Sequence, residues 1–104
     1  MRRLPAQEQT AEGTIEYEFD IAKLLGAGDA IASVNWVLPS QLTLVNSMVQ
    51  GTLVRGFIAA GPTAKLYESY WVEFTVNSVG DPTPVNPTMS FEISIVKRIT
   101  LKVI

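Results

Sequence analysis

The sequence predicts an all-β chain: a single Ig-like antiparallel β-sandwich with an extended N-terminal arm. Three observations lead there. Apolar residues alternate with polar ones in several short segments, the signature of half-buried strands. Glycine, proline, asparagine and aspartate punctuate those segments at short intervals. No stretch carries the 3.6-residue helical repeat for more than about one turn. With 104 residues the chain is sized for one domain.

Residues 1–13 offer little to a core apart from Leu4, so they read as a flexible or extended arm, ordered when a neighbour holds it. The domain proper is expected over residues 14–104. Its first strand is TIEYEFD, where Ile15, Tyr17 and Phe19 alternate with Glu16, Glu18 and Asp20. A short connection with room for one helical turn follows and closes at Gly26 and Gly28. Residues 29–38 form the next strand, with Ala32, Val34, Trp36 and Leu38 on one face and Pro39 as terminator. Residues 42–50 read as a short strand broken at Asn46, and residues 52–60 as another that ends at Gly61-Pro62. The longest strand is expected over residues 65–77, with Leu66, Tyr70, Val72, Phe74 and Val76 facing the core and Tyr67, Trp71 and Thr75 opposite. Pro82, Pro84 and Pro87 make residues 78–88 a loop. The remainder supplies one long bent strand or two short ones, shifting phase at Lys97-Arg98. Tyr17, Trp36, Phe74 and Phe91 are the expected core aromatics.

Composition narrows the function. Only 17% of residues are charged, against about 25% in an average domain, and mean hydropathy is +0.22. So little charge leaves part of the surface to be covered by a partner. A net charge of −2 and a pI near 5.0 argue against phosphate neutralisation, so no nucleic-acid partner is expected. The longest apolar runs are too short to cross a bilayer, and Arg2-Arg3 is followed by Pro5, Gln7, Glu8 and Gln9 rather than an apolar stretch, so neither a membrane nor a secretory leader is expected. Histidine and cysteine are both absent. That removes disulfides, thiol chemistry, Ser-His-Asp mechanisms and the usual zinc sites, and no metal or cofactor is expected.

The remaining chemical signals are weak beside their structural readings. Gly26-Ala27-Gly28-Asp29 lacks the third glycine and the following helix of a phosphate cradle and reads as a turn. Glu16, Glu18 and Asp20 fall about 7 Å apart along one strand face, within the range of paired catalytic acids, yet nothing apolar surrounds them in sequence; the chain is expected to be no enzyme. Asp81 is a lone carboxylate in its loop, too few for calcium. Tyr67 and Trp71 share a predicted strand face and could stack a sugar, or form a contact between subunits. Residues 1–20 carry net −3 (Arg2 and Arg3 against Glu8, Glu12, Glu16, Glu18 and Asp20), whereas residues 92–104 carry net +2 (Lys97, Arg98 and Lys102 against Glu92). An acidic first strand and a basic last strand could pair, within one chain or equally between neighbours, or stand as two unrelated solvated faces. The candidate interface is therefore Arg2, Arg3 and Leu4 of the arm, Tyr67 and Trp71, Pro82 and Pro84 of the stiffened loop, and Lys97 and Arg98.

One stretch carries a family resemblance. Asp20, Leu24-Leu25, the run Gly28-Asp29-Ala30-Ile31-Ala32-Ser33, Trp36 and residues 39–44 resemble the fibre–tail adaptor proteins of tailed phages. Residues 53–61 and 70–76 are similar to that family's later strands. The chain departs from the pattern in its proline-rich loop, residues 79–87, and in its longer arm. The resemblance implies a multi-copy structural protein of the virion, made in the host cytoplasm, that joins tail or neck components to fibres. A capsid decoration protein and a carbohydrate-binding module are the alternatives on the same scaffold.

Overall fold

Alternation and turn chemistry together set the strands. The computed structural model describes residues 2–80 and 84–97. It contains β1 (Arg2–Arg3), β2 (Gln7–Thr10), β3 (Thr14–Asp20), β4 (Ile31–Val37), β5 (Leu42–Gln50), β6 (Leu53–Ala60), β7 (Ser69–Ser78) and β8 (Thr88–Val96), with one 3-10 turn at Ala22–Leu24. Two sheets pack face to face as a β-sandwich. One runs β3-β6-β5; the other runs β4-β7-β8, with β1 and β2 both laid along the outer side of β8. The six longer strands pair antiparallel, whereas β1 and β2 run parallel to β8, so the second sheet is mixed.

The core lies between the sheets, and period two places its residues. Tyr17 of β3, Val54 and Ile58 of β6, Val72, Phe74 and Val76 of β7, and Met89, Phe91, Ile93 and Ile95 of β8 are all buried. Phe91 sits among aromatics, with ring centroids 4.9 Å from Phe19, 5.7 Å from Tyr17 and 6.4 Å from Phe74. Such tilted and edge-on pairs add about 0.5–1.5 kcal/mol each beyond their area burial. Trp36 of β4 stacks at 4.8 Å on Phe74 and lays its ring over β6 at Gly56. A Cβ at Gly56 would stand 2.5 Å from Cη2 of that ring, so this glycine is the space the indole occupies.

Several expectations are corrected. Ala32 does not share a face with Val34 and Trp36; it is exposed, because the register between β4 and β7 shifts between Ile31 and Ser33. The irregularity in β5 falls at Val45, between Leu44 and Asn46, and the strand continues through it. Residues 65–68 are a turn rather than the start of the longest strand. Glu68 donates its N–H to the Lys65 carbonyl at 3.2 Å, and the Tyr70 hydroxyl accepts the Lys65 N–H at 3.0 Å. Tyr67 takes φ +66 there, a left-handed conformation rare for an aromatic residue. Leu66, expected in the core, is consequently exposed.

The N-terminal residues, read as an arm for a neighbour to hold, are held by the chain's own β8. Arg2 and Arg3 register with Met89 and Ser90, and Gln7 to Thr10 register with Ile93 to Val96. Pro5, which has no N–H, interrupts the two pieces, while Leu4 donates to the Ser90 carbonyl at 2.8 Å and packs on the core. Pro82, Arg98 and the apolar alternation at Ile99, Leu101 and Val103 lie outside the described residues.

Candidate docking surfaces

Backbone alternation in the arm sends its side chains to two different places. Arg3 points to the outer face of the sheet, where its guanidinium lies 5.3 Å from the centroid of the Trp71 ring on β7. The two flank a shallow depression of about 180 Å³ with Glu73 and Ser90. Arg2 instead borders a cleft of about 340 Å³ with Leu4, Lys23, Leu24 and Met89. Two cations, the Asp20 carboxylate and an apolar floor therefore meet where the arm, the 3-10 turn and β8 converge.

The structure brings Arg2, Arg3, Leu4 and Trp71 together and leaves the other predicted residues apart. Among the described residues Tyr67 is the most exposed large apolar side chain, at 73%, but it stands in the turn and shares no strand face with Trp71. With one face of Trp71 already under a guanidinium, the two rings form no common platform. Pro84 lies in the loop beside Gly80, which takes φ +98 and is capped by Asp29 Oδ1 at 3.0 Å. Lys97 follows β8 and borders a separate cleft with Thr10, Glu12 and Leu66.

Within one chain, the acidic first strand does not pair with the last described strand. β3 pairs β6, and β8 lies in the other sheet. The counter-charge for β3 comes from Arg55, which the antiparallel register sets opposite Glu18. Its Nε lies 3.0 Å from Glu18 and 3.4 Å from Glu16. The two glutamates are exposed and Arg55 is half-buried, so the pairs contribute about 1 kcal/mol. Asp20 accepts hydrogen bonds from the Ala22 N–H at 3.0 Å and the Thr52 hydroxyl at 2.9 Å, and both hold its carboxyl below the usual range. The three carboxylates thus close turns and pair strands. No group of three or more acidic side chains capable of holding a metal occurs among the described residues.

Sequence reasoning missed a second surface. β4 is the outer strand of one sheet and β5 of the other, and both lie on the side of the sandwich away from the arm. Every residue from Val45 to Gln50 is exposed, on both strand faces. Val37, Val45, Met48 and Val49 are among the exposed large apolar side chains of the described residues. The signal that could have found this surface is in the sequence: no charged residue stands between Asp29 and Arg55.

The geometry defines a β-sandwich whose chemistry lies in its strand edges and outer faces rather than in an enclosed pocket. The family model described as podophage GP4 fiber-tail adaptor protein gp77 matches residues 9–83, from β2 through the loop after β7. The match covers most of the chain, and the chain belongs to that family of phage fibre–tail adaptors. No curated protein matches it.

Proposed function

We propose that the chain is a structural adaptor of the podophage virion, present in several copies and made in the host cytoplasm, that joins tail or neck components to the fibres. It needs no cofactor and performs no catalytic step in this role, and its partners are virion proteins rather than nucleic acid or membrane.

The observation that carries the reading is the arm itself. Bound along β8, β1 and β2 form an outer edge that no further strand covers among the described residues. That edge carries Arg2, Arg3 and Glu8, with Glu12 just beyond its end, and is broken by Pro5. Charge and proline protect an edge against indiscriminate pairing, so this side suits a partner selected by complementary charge. Arg3 on Trp71, the cleft beside Arg2, and Lys97 extend the same surface. Pro84, in a loop whose proline content lowers its ordering cost, offers a further contact.

The test is direct binding of the purified chain to the purified fibre and tail proteins at increasing salt. A complex that weakens with salt, and weakens at least tenfold with the double variant Arg2→Glu/Arg3→Glu, supports the reading. Undiminished binding by that variant contradicts it. Removing residues 1–13 altogether is a poorer test, because the deletion takes away buried Gln9 and the core contact of Leu4.

A further inference from the structure

We infer that the β4–β5 side is the surface through which two copies of this chain meet, the β5 edge of one pairing antiparallel with the β5 edge of the other across a two-fold axis. The inference deepens the multi-copy part of the proposed function and rests on it for the presence of more than one copy; which tail or fibre protein is bound does not enter.

The argument starts from what a free edge normally carries. Native proteins protect outer strands with lysine, proline, inward charge or a covering element, because an unprotected edge is a template for another strand. β5 (LTLVNSMVQ) has no charged residue and no proline. Its one irregularity, at Val45, leaves the strand in unbroken register with β6 from Asn46↔Phe57 to Gln50↔Leu53. β4 (IASVNWV) is equally uncharged. The proline between them, Pro39, lies in the connecting turn and caps it by accepting the Leu42 N–H at 3.1 Å.

Packing adds the second element. From Val45 onward the strand is exposed on both faces, with Val45 at 56%, Met48 at 43% and Val49 at 41%, and Val37 of β4 nearby in the same side at 62%. The outer strand β5, rather than the inner strand β6 with its buried Val54, therefore offers apolar side chains along an edge whose Ser47 N–H is held by Asn46 Oδ1 at 2.9 Å. Core packing accounts for the apolar residues that face inward, such as Leu42 and Val54, but not for the absence of charge at the exposed positions Val37 and Val45 to Gln50. A surface excluded from water by a like surface does account for it.

Charge also selects the occupant. A partner with a charged edge would lose hydration against Val45, Met48 and Val49 and find no counter-charge anywhere in residues 30–54. The opposite side of the molecule is excluded for self-pairing: β3 bears Glu16, Glu18 and Asp20, and a two-fold axis through it would bring like charges together. A second copy presents a neutral edge of the same length and apolar character. Self-pairing of β5 is isologous and antiparallel and sets no like charges opposite each other.

The experiment is the solution mass of the full chain by light scattering, for the wild type and for Val45→Lys/Met48→Lys. Both positions are exposed, so circular dichroism should be unchanged. The wild type is expected at twice 11.4 kDa, and the double-lysine variant at the mass of one chain or with dimerisation weakened at least tenfold. A second variant, Ser47→Cys, gives an independent readout, since the chain has no other cysteine. With the two-fold axis of the proposed pairing placed at Ser47, near the middle of the exposed run from Val45 to Gln50, its two Cα atoms would stand about 4.5–5.5 Å apart, in the disulfide range, so mild oxidation should give a covalent dimer. A wild-type mass of one chain, of an odd number of chains, or one that rises only when a fibre or tail protein is added overturns the inference. So does a dimer indifferent to both lysines, or one that Ser47→Cys cannot lock. A monomer that still mounts fibres sinks this inference and leaves the adaptor reading standing; a locked dimer that mounts none does the reverse.

Discussion

The hydroxyl of Tyr17 lies 2.7 Å from Oε1 of Gln9 and 2.7 Å from the Glu8 carbonyl, joining the middle of β3 to the arm strand that runs along the opposite sheet. Gln9 is fully buried, and its amide nitrogen donates to the Thr10 carbonyl at 3.1 Å. One phenol thus seals the arm side of the sandwich, where β2 of one sheet meets β3 of the other. Replacing Tyr17 by phenylalanine keeps the ring on Phe91 but strands a buried amide oxygen. The expected loss is about 1–3 kcal/mol, read as a lower denaturant midpoint, with faster amide exchange confined to residues 7–10. An unchanged exchange pattern there would contradict the role given to this contact.

The same phenol makes stability depend on alkaline pH. Burial pushes the Tyr17 hydroxyl well above its ordinary value. The folded chain therefore keeps a proton that the unfolded chain releases near pH 10. Its contribution is complete below that pH and is lost as pH rises through and beyond it. Denaturant midpoints measured across this range should fall for the wild type and fall less for Tyr17→Phe.

Acid acts through a different group. Hydrogen bonds from the Ala22 N–H and the Thr52 hydroxyl hold the Asp20 carboxyl below its usual range. The stability it contributes is present above the ordinary carboxylate pKa of about 4 and is lost as pH falls through the lowered folded value. Asp20→Asn should be less stable than the wild type at neutral pH, and the two should converge in acid. Parallel acid profiles would show that the carboxylate plays no part.

Trp36 and Gly56 test the packing between sheets. Gly56→Ala puts a methyl within 2.5 Å of Cη2 and 2.8 Å of Cζ2. Overpacking of this kind costs about 1–3 kcal/mol. Combining it with Trp36→Phe should recover part of the loss, so the two changes are non-additive in a double-mutant cycle. Simple additivity would mean that the ring is not what excludes a side chain at Gly56.

Much of the sandwich was legible because alternation is a local signal. TIEYEFD turns Tyr17 inward and Glu16 and Glu18 outward as its period demands, and the glycines and prolines fall between strands. What failed depended on contacts distant in sequence. Nothing local to Lys65 through Glu68 says that Tyr70 will reach back and hold a turn, so Tyr67 was given a strand face that it does not have. The polar arm sequence gives no hint that β8 offers an open edge on which Gln9 can be buried. Net charge could not pick out Arg55 as the partner of β3's glutamates within the chain, because register puts it opposite Glu18. The uncharged side went unplaced although the low overall charge pointed to a covered surface, since composition does not say which residues share an edge.

The adaptor account divides the molecule into a charged, proline-broken arm side for foreign virion proteins and a neutral side for its own kind. Its most direct test is to count fibres on particles complemented with the wild type or with Arg2→Glu/Arg3→Glu. Both proteins should fold, since the two arginines are exposed. The account predicts particles that carry the variant but mount few or no fibres. Variant particles with a full set of fibres would contradict it.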